Sequence, residues 1–404
     1  MINEKYILAV YSILILSPLL ALPLIVYGIY HQYKGCQTAL AVFMAFLAFL
    51  TAPVGDLYRH TIFYFMIHNY SFNRFVETVE SDFIIQLIEF FMAKYNIPYE
   101  FLRLVYTFIS YSILNYIFNQ LISKSNYKYR KSEYFNRYLL TFICMDFFQL
   151  VLGVRYTFAA SVFTLAVYYY LCEKKYVLAL PLAILSISIH YSFLYYGFFI
   201  FFLLHIKINK QVFAILLLSG FIISEILISQ FQSILLEEDM QGAGYLGEGK
   251  WAKGYRQAQE FNNVMYSYAK YIACIPATLY ALQRVKKGRV YQYFLTLSLI
   301  LAITLPLGSI PDRIPTIFFL CVPILILWDE SLNRKKMVRK YYCAIYCSIV
   351  LIYAATFYGM KNPRFHSEYQ YIALPVPYIL NHQYDYGWMF RHINNDGSGK
   401  YRDE

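Results

Sequence analysis

Residues 156–190 read YTFAASVFTLAVYYYLCEKKYVLALPLAILSISIH. Two apolar runs, 156–172 and 176–190, flank the charged turn Glu173-Lys174-Lys175. Neither run carries the polar stripe at 3.6-residue spacing that a helix on a soluble core shows. Apolar all round, each suits the interior of a lipid bilayer, whose hydrocarbon core takes about 20 such residues per crossing. These runs and the one after them are short and closely spaced, so one of them could be re-entrant.

The pattern recurs along the chain. Of its 404 residues, 59% are hydrophobic, 20% aromatic and only 15% charged, against about 25% charged in soluble domains. Soluble enzymes, secreted disulfide modules and disordered regulators are thereby excluded. Twelve spans are predicted, at 6–30, 36–53, 101–122, 138–153, 156–172, 176–190, 191–206, 211–236, 264–282, 290–307, 314–328 and 341–358. The first is longer than the apolar core of a signal peptide and no small-x-small cleavage site follows it, so it is expected to be retained. The fold class is all-α and polytopic. A single transmembrane domain over 1–358 and an extracytoplasmic tail over 359–404 are expected.

A net charge of +11 would ordinarily raise nucleic-acid binding. Here the basic residues crowd into alternate short loops: Lys34; Lys124, Lys128, Arg130, Lys131 and Arg137; Lys174 and Lys175; Lys207 and Lys210; Arg284, Lys286, Lys287 and Arg289; Arg334, Lys335, Lys336, Arg339 and Lys340. By the positive-inside rule these loops are cytoplasmic, and an even number of spans puts both termini outside. The longer segments 54–100, 237–263 and the tail then lie outside. SDFIIQLIEFFMAKY, at 81–95, is apolar but holds Asp82, Gln86, Glu89 and Lys94, which predicts an interfacial or re-entrant helix near 82–95. The glycine- and charge-rich 237–263 predicts a mobile loop. The GSGK at 397–400 lacks the first P-loop glycine and a preceding strand. The seven cysteines form no CxxC pair, and the eight histidines show no paired metal spacing. No metal and no cofactor is expected.

Polar side chains near membrane depth are costly and need a reason. They gather at one predicted face. APVGDLYRH (52–60) carries Asp56, Arg59 and His60. GVRYTFAAS (153–161) carries Arg155. ISIHYS (187–192) carries His190, and GSIPDRIP (308–315) carries Asp312 and Arg313. Any one could be an ordinary snorkelling or turn residue. Together they place arginines on the side the charge bias disfavours, which points to an anionic partner. Arginine's planar fork suits phosphate oxygens. Two acids lie inside spans, Asp146 and Glu225; each reads either as an interhelical hydrogen bond or as a cavity-lining group. The 44 tyrosines and 34 phenylalanines suit interfacial belts, and some could equally stack on sugar faces.

GDLYRHTIFYF (55–65) followed by ESDFIIQLIEFFMAKYNIPYEF (80–101) resembles the acid-and-tyrosine loop of the EpsG-like branch of bacterial polysaccharide polymerases, with Asp56 and Tyr64 at the acid and tyrosine. GVRYTFAASVFTLAVYYYLCEKKYVLALPLAILSISIHYSFLYY (153–196) resembles the family's central signature through Arg155, Ala159, Ser161, Lys174, Lys175, His190 and Ser192. PDRIPTIFF (311–319) resembles its late arginine motif through Arg313. The family usually has glutamine after the first arginine; Tyr156 stands there instead. The resemblance covers about 40–330.

That resemblance implies a Wzy-type polymerase of O-antigen, capsule or exopolysaccharide, in the bacterial cytoplasmic membrane. The substrate it implies is an oligosaccharide repeat on undecaprenyl pyrophosphate, joined to the next repeat at the outer membrane face. Membrane lipid, a flippase and a chain-length regulator are the other partners it leaves room for, with no nucleic acid. Arg155 and Arg313, with Arg59 as a third, would hold the pyrophosphate. Asp56, His190 or Asp312 would act as base, and His60 and Tyr156 would make weaker substrate contacts. A flippase or transporter, or another membrane transferase acting on lipid-linked sugars, is the competing reading.

Overall fold

The computed structural model describes residues 2–79, 82–125, 127–153, 155–205, 208–217, 219, 261–284, 288–304, 313–333, 337–359 and 367–394. Among these residues the regular structure is helical, without strands. Among the described residues, three helices are long and apolar enough to cross a membrane: Glu100–Lys124, Lys131–Leu152 (with a break at 144–146) and Ile314–Leu332. Shorter apolar helices stand beside them at Pro18–Tyr30, Lys34–Phe49, Tyr176–Ile189 and Arg289–Thr304.

The centre of the bundle is helix Ile314–Asn333, apolar and buried over most of its length. Helices Glu100–Lys124, Tyr156–Tyr168 and Arg289–Thr304 pack against it. Small residues at the crossings, such as Ala39, Ala48, Ala159 and Ala160, are fully buried and let backbones approach closely. Hydrogen bonds tie the helices where apolar contact alone distinguishes little between lipid and protein. Gln37 Nε2 donates to the Tyr134 hydroxyl at 2.8 Å, and Asn119 donates to Gln37 Oε1 at 2.6 Å. Ser161 donates to Ser110 at 3.1 Å. The periphery is apolar instead: Val177 is 86% exposed and Leu8 69%. Water would penalise such a surface and hydrocarbon would not.

The first expected span is corrected. Residues 6–30 are not one helix but a hairpin of Ile2–Leu16 and Pro18–Tyr30. Pro18 lacks the N–H a continuing helix needs, and Ser17, in extended conformation, caps the second helix by accepting from Leu20 N. The fold-back is direct: the Tyr6 hydroxyl donates to Leu24 O at 2.6 Å, and the Tyr6 and Tyr27 rings lie 5.9 Å apart. Gly28 is required there, because a Cβ would sit 2.2 Å from Cys36 Sγ. The N-terminal end therefore stands at the same end of the bundle as Lys34, not opposite it as an unbroken first span would place it.

The expected span at 138–153 is likewise two helices, Lys131–Ile143 and Phe147–Leu152. Asp146 makes the break, its Oδ1 accepting from Gln149 N at 3.1 Å as an N-cap. Here the membrane-depth acid has a structural task. Glu225 lies outside the described residues, as does the predicted loop 237–263, except that Phe261–Asn263 begin helix Phe261–Arg284.

The two ends of the bundle differ. At the basic end, Arg137 donates to Glu330 through Nη2 (2.6 Å) and Nε (3.1 Å), and Lys124 pairs with Glu173. At the other end lie helices Asp56–Ile67, Phe72–Thr78 and Phe83–Lys94, the last where an interfacial helix was predicted. Segment 367–394 docks there too. Ser367 Oγ accepts from Ala52 N (2.8 Å), and the Tyr384 hydroxyl donates to Leu50 O (2.6 Å).

Candidate functional site

Two tight breaks open the site. The chain turns at Gly153, where a Cβ would stand 2.7 Å from Gln149 O, and Arg155 then heads helix Tyr156–Tyr168. Helix Tyr176–Ile189 ends at His190, whose extended backbone leads into the next helix at Ser192. Both breaks lie at the end of the bundle covered by residues 56–94, since helix Phe83–Lys94 packs on helix Tyr176–Ile189 and helix Asp56–Ile67 on helix Phe147–Leu152.

Asp82 joins them. Its backbone is left-handed (φ 58°, ψ 42°), a region Asp tolerates better than most residues but still at a cost. Oδ2 lies 2.9 Å from Arg155 Nη1, and Oδ1 accepts from Tyr191 N at 2.8 Å. One carboxylate thus holds the start of helix Phe83–Lys94, the arginine and the histidine turn together. Burial raises the Asp82 carboxyl above its ordinary range; Arg155, the Tyr191 N–H, His60 and Arg313 all pull the other way, and burial prevails.

His190 Nδ1 is engaged by Ser192, with the hydroxyl at 2.9 Å and the backbone N–H at 3.3 Å. Accepting from the amide places the ring proton on Nε2. The ring meets Tyr156 edge-on at 5.3 Å. Burial, then the electrostatic influence of Arg313, Arg155 and His60, pushes the imidazole down to about 2, so it is neutral throughout the physiological range. Arg313 stands over the Tyr156 ring at 5.4 Å, and its carbonyl accepts from the Tyr156 hydroxyl at 2.8 Å. Tyr156 therefore bridges Arg313 and the His190 ring, in the place the family pattern gives to glutamine.

His60 lies on the buried face of helix Asp56–Ile67, with Leu57, Thr61 and Tyr64. Its Nδ1 is 3.6 Å from Glu89 Oε1, which also accepts from the Tyr99 hydroxyl at 3.1 Å. Behind them Arg103, fully buried, pairs with Glu100 (3.3 Å) and donates to Thr51 O.

Of the residues singled out in the sequence, Arg155, His190, Arg313, Tyr156 and His60 come together. Asp56 and Arg59 do not: both are exposed, Asp56 at the first residue of the helix that buries His60 and Arg59 on a different side of that helix. A helix turns 100° per residue, so neighbours in sequence are directed apart. Asp312 lies outside the described residues. Asp82 and Glu89 carry the site's acidity and were noted in the sequence only as marks of an interfacial helix. Their spacing of seven, two helical turns, was the available signal that they share a face.

Compared with known proteins, residues 34–373 match the model of the EpsG family. No curated protein and no solved structure matches the chain.

Proposed function

The chain belongs to the EpsG family, and from that premise we propose that it polymerises lipid-linked oligosaccharide repeats at the outer face of the bacterial cytoplasmic membrane. Family membership and the apolar helices support a membrane protein with a polysaccharide-polymerase role. The finer reading rests on one observation: two arginines from distant segments, Arg155 and Arg313, meet around Asp82, His190 and Tyr156.

Two fixed cations and a neutral histidine suit a substrate whose leaving group is a pyrophosphate. As the bond to the anomeric carbon breaks, negative charge grows on the departing oxygen. Cations held in place before reaction stabilise that charge more than they stabilise the bound substrate, and so lower the barrier. Asp82 engages one Nη of Arg155, and the arginine side chain remains 22% exposed, so its outer edge can meet a phosphate. His190, neutral with its proton on Nε2, is a hydrogen-bond donor to a phosphate oxygen. Asp82 orients Arg155 but also offsets part of its charge.

The experiment is genetic. Deletion of the gene in its host is followed by gel analysis of surface polysaccharide. Single repeats without a ladder are expected. Loss of every repeat would instead indicate a flippase, and an unchanged ladder would end the reading.

A further inference from the structure

We propose that His60 is the general base that takes the proton from the acceptor hydroxyl, with Glu89 and Tyr99 as its positioning residues. The inference rests on the polymerase reading above and names the group that reading leaves open. His60 and Glu89 are 7% and 0% exposed. One oxygen of Glu89 faces His60 Nδ1 and is held by Tyr99; the other, Oε2, is buried with no hydrogen-bond partner among the described residues. A buried carboxylate in that state is costly, and the imidazole facing it is the group whose protonation relieves the cost.

Glu89 Oε1, 3.6 Å from Nδ1, favours a proton on that nitrogen by its charge, and that tautomer leaves the Nε2 lone pair as acceptor. When Nε2 takes a proton, the imidazolium lies beside Glu89. The neighbouring acids and bases are otherwise engaged. His190 offers no lone pair, since Ser192 occupies Nδ1, and Arg313 and Arg155 oppose a positive charge on it. Asp82 is held by Arg155 and Tyr191. Asp56 is exposed. The charged groups around His60 are Glu89 and Asp82 from one side, Arg155 and Arg313 by the neutral His190, and Arg103 with Glu100 behind Glu89; Asp56 and Arg59 on its own helix are exposed.

The step balances. His60 Nε2 accepts the hydroxyl proton while the acceptor oxygen bonds to the anomeric carbon. The bond from that carbon to the pyrophosphate oxygen breaks, and its electron pair leaves on the pyrophosphate beside Arg155 and Arg313. His60 then returns the proton to water.

The test uses the full chain in two assays. Polymerisation is followed from pH 5 to 9 in membranes of the host lacking its own copy, which retain their lipid-linked repeats. Binding is measured with purified protein and farnesyl pyrophosphate as probe. H60Q is expected to lose at least about 100-fold in polymerisation and to keep farnesyl pyrophosphate binding. E89Q is expected to retain some activity with the acid limb of its pH profile moved lower, because no carboxylate then faces the imidazole. E89D is expected to restore the limb toward wild type. Wild-type polymerisation by H60Q, or an unmoved acid limb in E89Q, overturns the assignment; the E89Q profile decides it if H60Q does not accumulate. A failure of the pyrophosphate reading looks different: R155A then binds the probe as well as wild type, while the H60Q and E89Q outcomes stand.

Discussion

Asp82 Oδ2 lies 2.9 Å from Arg155 Nη1, and the same carboxylate accepts from the backbone of Tyr191. A left-handed residue before one helix therefore holds the start of a second and the turn after a third. D82A leaves Arg155 without its counter-charge, and breaking a buried pair from one side costs about 3–5 kcal/mol. Arg155 is partly exposed, so the lower end applies. The expected outcome is a lowered Tm in detergent and loss of the polysaccharide ladder. In the D82A/R155A double variant the Tm loss should be less than the sum of the singles; a strictly additive loss would show that the two do not interact.

Arg313→Lys separates charge from shape. Lysine keeps the cation but lacks the planar fork that meets two phosphate oxygens and stacks on Tyr156. Polymerisation is expected to fall about 10-fold or more, the loss of one charge-assisted hydrogen bond. A ladder of normal length and intensity from R313K would remove the bidentate contact.

His190 links stability to pH. Its folded-state pKa, pushed down to about 2, lies below the unfolded value of about 6.5. The unfolded chain then binds the extra proton, so the contribution is fully present above about pH 6.5 and is lost as pH falls below it. Between pH 7 and 5 wild type should lose on the order of 1–2 kcal/mol from this group. H190N, which keeps a hydrogen-bonding side chain but cannot titrate, should lose less. Parallel Tm-versus-pH curves for the two proteins would contradict the account.

Tyr384 ties the C-terminal segment to the bundle. Its hydroxyl donates to Leu50 O and accepts from Glu368 N, and its own N–H donates to Glu100. Y384F removes the first two bonds while Leu50 O keeps the Glu368 N–H at 3.2 Å, at about 0.5–1.5 kcal/mol per bond lost. A Tm lowered by several degrees with polymerisation retained is expected. Loss of the ladder at unchanged Tm would give Tyr384 a part in the chemistry instead.

The sequence alone determined what local averages can carry. Apolar runs longer than a soluble helix tolerates, separated by basic turns, give an α-helical membrane chain. The motifs at 153–161, 187–192 and 308–315 marked Arg155, His190 and Arg313, which come together. The helix at Phe83–Lys94 was legible in its mixture of apolar and charged residues, because amphipathicity is a short-range pattern. So was the family, through the same motifs.

Tertiary structure decided the pairings. Hydropathy reports how apolar a stretch is and not whether it continues straight, so the fold-back at Ser17–Pro18 was hidden inside one apolar run. It also does not say which face of a helix is covered. His60 is buried while Arg59, its neighbour, is exposed, because the bundle and helix Phe83–Lys94 pack on only one side of helix Asp56–Ile67. Asp82 and Glu89 look like solvated charges until three segments remote in sequence close over them. An ion pair depends on ångström distances between groups that the chain's order does not bring together, and only packing sets those distances.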